Sequence, residues 1–252
     1  MKNKSNRQKN RKKLVFFLLI IAIILLSVVV VKTDIFYIEE IIVKENSKLS
    51  KNYIVDASDI TREDNIFLIE LKELKKNLEE EIYIESVDIV RKFPDKLIIN
   101  VKERKGKISY DYNKKKYLLD FDGVVLENIQ KDEELFVIKS ELETNIILGK
   151  TIYFNNKDIN FNEILYLSQY IYENNRNLDC NIWIKNDNIY CIIKKDTYIK
   201  LDLDGNLRYQ YEFGRDIIEM RTNEGLDING VIDFTKGDNP IYIDFKDLEE
   251  EI

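Results

Sequence analysis

Residues 14–31, LVFFLLIIAIILLSVVVV, form an uncharged run in which only Ser27 is polar. A helix of that length rises about 27 Å at ~1.5 Å per residue, close to the hydrocarbon thickness of a bilayer. Lys2, Lys4, Arg7, Lys9, Arg11, Lys12 and Lys13 precede it without one acidic residue. Dense Lys/Arg against an apolar span predicts a cytoplasmic N-terminus, with everything from Lys32 onward across the membrane. The run is longer than the core of a cleaved signal peptide. It ends Val28-Val29-Val30-Val31-Lys32 with no small-residue cleavage pattern. It is also too uniformly apolar for the core helix of a soluble protein. The expectation is a retained single-pass anchor, with residues 1–13 a basic cytoplasmic tail and residues 14–31 the transmembrane helix that contacts the lipid bilayer.

Composition matters mainly for what it excludes. The tail takes seven of the 39 Lys+Arg residues, leaving 32 against 46 Asp+Glu, a net charge of −14 for the rest. An acidic exterior argues against nucleic acid, which needs clustered Lys/Arg. A basic tail beside a span sets topology and touches anionic lipid. There is no histidine, so the commonest neutral-pH base and metal ligand is missing. Cys180 and Cys191 cannot build a tetrahedral zinc site by themselves. They flank a hairpin turning at Asn186-Asp187, in a register that sets them diagonally on one face. A disulfide there would need a bulge or slip, and two small buried thiols fit the spacing better. No metal and no cofactor is expected.

After the span, residues 35–43 (IFYIEEIIV) read as a strand. Ser50 is a plausible cap for a first helix carrying Tyr53, Ile54 and Ala57. Residues 65–69 (NIFLI) lead into a second helix, where Leu71, Leu74, Leu78 and Ile82 make one apolar face. Lys72, Lys75, Lys76, Glu79 and Glu80 cover the other face. The period then falls to two in Val87 and Ile89, and again in Leu97, Ile99 and Val101. Phe93-Pro94-Asp95-Lys96 turns between them, with Pro94 presetting φ at the second position. Strand, helix, helix, strand, strand lets two amphipathic helices and a small sheet bury each other's apolar faces.

These residues resemble the POTRA domain of the bacterial cell-division family FtsQ, called DivIB in Gram-positive bacteria. The family's F-x-I-x-x-I-x-V strand is matched by Phe36, Ile38, Ile41 and Val43. Its Asn-Ile-Phe is matched by Asn65-Ile66-Phe67, and its Arg-x-x-Pro then Glu-Arg by Arg91, Pro94, Glu103 and Arg104. The resemblance implies an α+β protein: one transmembrane helix, a POTRA-like β-α-α-β-β module over residues 35–104, and a mostly antiparallel β domain with one or two helices over residues 105–252. Residues 108–112 and 117–126 are expected to be hairpin material, and strands are expected at 135–138, 181–185, 189–194, 198–203, 207–213, 230–234 and 241–245. One helix follows Asn160, with Phe161, Ile164, Leu165 and Ile171 as its stripe. DivIB-type members often carry a disordered tail after this domain, and none is expected here.

By the same resemblance the chain is a non-enzymatic divisome scaffold. Its partners would be membrane proteins of FtsB/DivIC and FtsL type, bound by strand addition at a C-terminal edge strand made of Ile241, Tyr242, Ile243, Asp244 and Phe245. Two rivals stand beside it. One is a POTRA-type secretion or chaperone module, which usually chains several such units before a membrane barrel. The other is an enzyme, because residues 117–126 (YLLDFDGVVL) match the hhhDxDGxxh signature of Mg-dependent haloacid-dehalogenase phosphatases. Asp120 would attack phosphorus and Asp122 would protonate the leaving group, while Lys236-Gly237-Asp238 with Asp244 imitate the later motifs. Against this, DxDG recurs at residues 202–205, and Asp-Gly between alternating runs is a preferred hairpin turn. A phosphatase of that kind also needs helices alternating with parallel strands. Calcium fits worse, since the twelfth loop position would be Lys131 or Phe213.

Overall fold

The computed structural model describes residues 2–131, 134–154, 159–174, 180–194, 196–226, 228–237 and 239–248. Helix α1 runs Lys2–Lys32 and takes in both the basic tail and the apolar run. Within it Arg11–Val30 is long and apolar enough to cross a membrane, and none of that span is buried inside the protein. The chain divides into two compact units, Met1–Glu103 and Arg104–Ile252.

The first unit adds strand β1 (Glu40–Lys44), helices α2 (Lys51–Ala57) and α3 (Leu71–Glu79), and strands β2 (Ile84–Lys92) and β3 (Lys96–Glu103). The sheet order is β1-β3-β2, with β1 parallel and β2 antiparallel to β3. A parallel neighbour cannot be reached by a tight turn; α2, α3 and β2 supply the crossover. Ser50 caps α2 as its sequence indicates, its hydroxyl accepting from the Tyr53 amide at 3.1 Å. Leu74 and Leu78 of α3 are buried while Lys72, Lys75, Lys76 and Glu80 stay exposed. Each buried leucine contributes roughly 1.5–3 kcal/mol. They pack with Ile38, Ile54, Val87, Leu97 and Ile99 in one core.

Two expectations fail in this unit, for one reason. Residues 35–43 are not a single strand: Asp34–Phe36 form a 3-10 turn, and pairing with β3 begins only at Glu40. Residues 65–69 do not enter α3 either. They form a tight turn closed by the Leu68 amide on the Asn65 carbonyl at 2.9 Å, and the helix starts at Leu71. The two segments satisfy each other. The Ile66 amide donates to Phe36 O at 2.8 Å and the Ile38 amide to Asp64 O at 3.0 Å. Ile82 lies beyond the end of α3. Phe36, Ile38, Ile41 and Val43 all still reach the core. The Phe93–Pro94 bond in the β2–β3 turn is cis.

The second unit runs β4 (Ile108–Tyr112), β5 (Lys115–Leu119), β6 (Val125–Ile129), β7 (Phe136–Ser140), β8 (Thr144–Asn145), β9 (Tyr153–Phe154), α4 (Phe161–Asn174), β10 (Asn181–Lys185), β11 (Asn188–Lys194), β12 (Thr197–Leu201), α5 (Leu207–Asn223), β13 (Gly230–Asp233), β14 (Ile241–Asp244) and α6 (Phe245–Leu248). Strands β8 and β9 pair by themselves. The others form one sheet in the order β14-β13-β12-β11-β10-β7-β4-β5-β6. Among the described residues five neighbouring pairs are antiparallel and three parallel. The α+β architecture with a mostly antiparallel second domain is therefore what the chain builds. Phe161, Ile164, Leu165 and Ile171 of α4 join Leu207, Tyr211 and Ile218 of α5 over Ile182, Ile199 and Ile232.

Helix α5 replaces the strand expected at 207–213. Asn206 caps it, accepting from the Tyr209 amide at 2.9 Å. Leu207, Gln210, Tyr211, Gly214 and Ile218 are buried at helical spacing. The alternation that imitated a strand came from two exposed rings, Tyr209 and Phe213. Gly214 lets the helix lie close on β12, since a Cβ there would stand 2.7 Å from Ile199 Cδ1. With α5 between parallel β12 and β13, and α4 between parallel β7 and β10, the unit contains two β-α-β crossovers. The expected shortage of helices and parallel strands is thus no argument against a phosphatase. The surroundings of the two aspartates bear on that question more directly.

Candidate functional site

Asp120 is 6% exposed. One carboxylate oxygen accepts from the amides of Asp122 and Val124 at 3.0 and 2.9 Å. The other accepts from Arg104 Nη1 at 2.8 Å. Gly123, at φ +77°, completes the loop in a conformation glycine adopts without steric cost. A nucleophile needs a lone pair aimed at phosphorus, whereas this carboxylate is spent on holding the β5–β6 loop. Asp122 lies 3.6 Å from the same guanidinium and is mostly exposed. The repeat at residues 202–205 is not the hairpin turn its sequence suggested. It joins β12 to α5, with the Asp202 amide on Gln210 Oε1 at 2.7 Å and Gln210 Nε2 on Asp202 O at 3.0 Å. Asp238 lies outside the described residues. No group of three or more His, Cys, Asp or Glu side chains that could hold a metal occurs among the described residues.

Of the positions singled out by motif, Arg91 lies in β2 and Glu103 ends β3, and both reach across to hold loops. Arg91 donates from Nε and Nη2 to the carbonyls of Ile66 and Ile69 at 2.7 and 2.6 Å. Pro94 follows Phe93, whose ring stacks on Phe67 at 4.9 Å. Glu103 accepts from Ser47 Oγ at 2.9 Å and from the Lys48 and Leu49 amides at 2.8 Å each. Burial pushes that carboxyl up, but these hydrogen bonds outweigh it and hold it below its ordinary value. Arg104 belongs to the Asp120 loop. Cys180 and Cys191 are free and buried, and Cys191 faces Ile182, so the thiols are diagonal. Hydrogen bonding to Cys180 and burial push the Cys191 thiol well up.

Strand β14 ends the nine-stranded sheet and, among the described residues, pairs with β13 alone. Its direction can be read from two contacts. The Phe245 amide donates to Asn229 O at 3.2 Å. The Ile243 carbonyl lies against Gly230, where a Cβ would come within 2.2 Å of it. Main-chain groups alternate along a strand, so Ile241 and Ile243 direct theirs inward, and Tyr242 and Asp244 direct theirs outward. The Tyr242 side chain packs on the core opposite Ile232. Phe245 is not part of the strand: it opens α6, its ring edge-on to Tyr198 at 5.5 Å.

Ile243 and Phe245 also line a groove of about 450 Å³ with Trp183, Tyr190, Tyr198 and Val231, on the sheet face away from α4 and α5. Lys200 and Asp233, 3.4 Å apart, give it a polar side. None of the sequence motifs points to this groove. Its signal was that strands β10–β14 carry large apolar side chains at both alternating positions, where a sheet wet on one side shows polar residues.

An apolar N-terminal helix, a POTRA unit and a β-rich unit with few helices define a class of anchored, two-unit protein. Residues 36–104 match the FtsQ-type POTRA domain family. The chain is 31% identical over 188 residues to cell division protein DivIB of Clostridium tetani, covering 70% of this chain and 69% of that protein. It is 26% identical over 223 residues to DivIB of Clostridium acetobutylicum, covering 84% of each. It is 32% identical over 119 residues to cell division protein FtsQ of Syntrophotalea carbinolica, covering 46% of this chain and 41% of that protein. The chain belongs to the FtsQ/DivIB family of cell-division proteins. Its role lies in cell division, and its apolar N-terminal helix fits a membrane-anchored septal protein.

Proposed function

We propose that the chain is a non-enzymatic scaffold of the divisome that holds partner membrane proteins of FtsB/DivIC and FtsL type by β-strand addition to β14. In this account residues 1–13 are cytoplasmic and residues 14–31 cross the bilayer. Residues 35–104 and 105–252 stand outside as POTRA and β domains. Seven Lys/Arg and no acid before the span support that orientation. The observation that carries the proposal is the edge itself, where Tyr242 and Asp244 turn main-chain donors and acceptors away from the sheet.

Magnitudes say that the edge does not act alone. The Asp244 carbonyl belongs to the first turn of α6, so three outward main-chain groups at about 1 kcal/mol each give roughly 3 kcal/mol, short of a millimolar complex. The neighbouring groove, with Trp183, Tyr190 and Phe245, offers the side-chain burial that raises this.

The test removes one outward donor. Asp244→Pro lacks that N–H and is expected to lower capture of a DivIC-type partner co-reconstituted with the full chain by about tenfold, or ~1.4 kcal/mol. Asp244→Ala keeps the donor and should retain capture. Ile243→Pro is a poor probe, because it cuts the pairing with β13. Undiminished capture by Asp244→Pro rejects strand addition at this edge.

A further inference from the structure

The Asn65-Ile66-Phe67 and Arg91-to-Pro94 motifs play no part in strand addition, yet they converge on one place. The Asn65 side chain, 5% exposed, donates from Nδ2 to the carbonyl of Val30 at 3.0 Å, in the last turn of the apolar span. Its Oδ1 accepts from the Phe67 amide at 2.9 Å, so one carboxamide ties the turn at 65–69 to the end of the anchor. Arg91 clamps the same turn from below through Ile66 O and Ile69 O. What this double tether presents outward is apolar. Leu68 is 62% exposed, Phe67 43%, Phe93 55% and Ile35 65%. Phe67 stacks on Phe93 and receives the edge of Phe36 at 5.1 Å. Residues 65–69 carry no charge, and the exposed charges next to the cluster in the chain, Lys32, Asp34, Glu70 and Lys92, are of both signs.

We infer that this cluster is a second membrane contact, seated in the interfacial layer of the leaflet from which α1 emerges. The occupant follows from continuity with the anchor. A side chain bonded to Val30 O lies within one hydrogen-bond length of a segment that ends at the hydrocarbon boundary. Large exposed apolar side chains, two of them aromatic, are the composition that settles at that depth. The contact adds little to attachment, which the anchor already secures. It fixes the tilt of the first unit on the lipid.

The inference rests on α1 being inserted, and the test separates the two. The full chain in phosphatidylcholine/phosphatidylglycerol vesicles carries a nitroxide at Leu68→Cys, Ile35→Cys, Tyr53→Cys or Leu25→Cys. The native cysteines, at 2% and 0% exposure, are shielded from the label. Collision with dissolved oxygen, against collision with a water-soluble nickel complex, reads depth. Labels at 68 and 35 are expected to favour oxygen severalfold more than the label at 53. If 68 and 35 match 53 while 25 reports lipid, the second contact is wrong and the anchor stands. A label at 25 that reports water overturns both. Labels at 68 and 35 shielded from both reagents indicate a protein contact and also overturn the proposal.

Discussion

Asp120→Ala is expected to destabilise the second unit by on the order of 4 kcal/mol. The substitution strips the acceptor from two loop amides and a guanidinium, one bond buried and two part-buried, and a buried donor left unmet costs about 1–3 kcal/mol. At roughly 2–4 °C per kcal/mol for a unit of this size, its melting point should drop by about 8–16 °C. Trp183 is the single tryptophan and lies in this unit, so its fluorescence follows the transition. Asp122→Ala, at a side chain 71% exposed, should change stability by less than about 0.5 kcal/mol. A phosphatase requires the opposite pattern, with both aspartates needed for turnover and neither for folding. Mg-dependent phosphate release that disappears in Asp120→Asn, with the melting point intact, would reinstate catalysis and end the scaffold proposal.

How much the chain revealed in advance depends on where each segment finds its hydrogen-bond partners. Ser50, the Leu74/Leu78 stripe and the β2–β3 alternation were legible because short-range physics settles them: a cap three residues from its amide, a face at helical period, a face at period two. Residues 35–39 and 65–69 were misread because each completes the other, across about 30 residues, and no local pattern encodes a mutual exchange of amides. Residues 207–213 were misread for another reason. Tyr209 and Phe213 supplied a false alternation, although Asn206 as cap and the buried series through Gly214 and Ile218 were present in the letters. At the candidate site, the edge position of β14 was legible by order in the chain. Which of its residues turn outward was not, since that depends on register against Gly230. The groove beside it needs five strands side by side before it exists at all.

Glu103→Ala should cost the first unit about 3 kcal/mol, because three donors from residues 47–49 lose a charged acceptor in a part-buried setting. For a unit of this size that is a drop of roughly 12–24 °C, seen in circular dichroism while the Trp183 transition stays put. The pH dependence follows from the direction of the carboxyl. It is held below its ordinary value of 4.5 in the folded chain. The unfolded state therefore binds the proton first, and the stabilisation is complete above about pH 4.5 and drains away as pH falls through the folded value. Glu103→Gln has no charge to titrate and keeps one acceptor oxygen. It should begin less stable than the wild type at neutral pH and lose less on acidification, so the two curves converge in acid. Parallel curves would mean that Glu103 is not what organises the entry to α2. This carboxylate, last in β3, is joined to a loop more than 50 residues earlier, so the loop's order depends on β3 reaching its register.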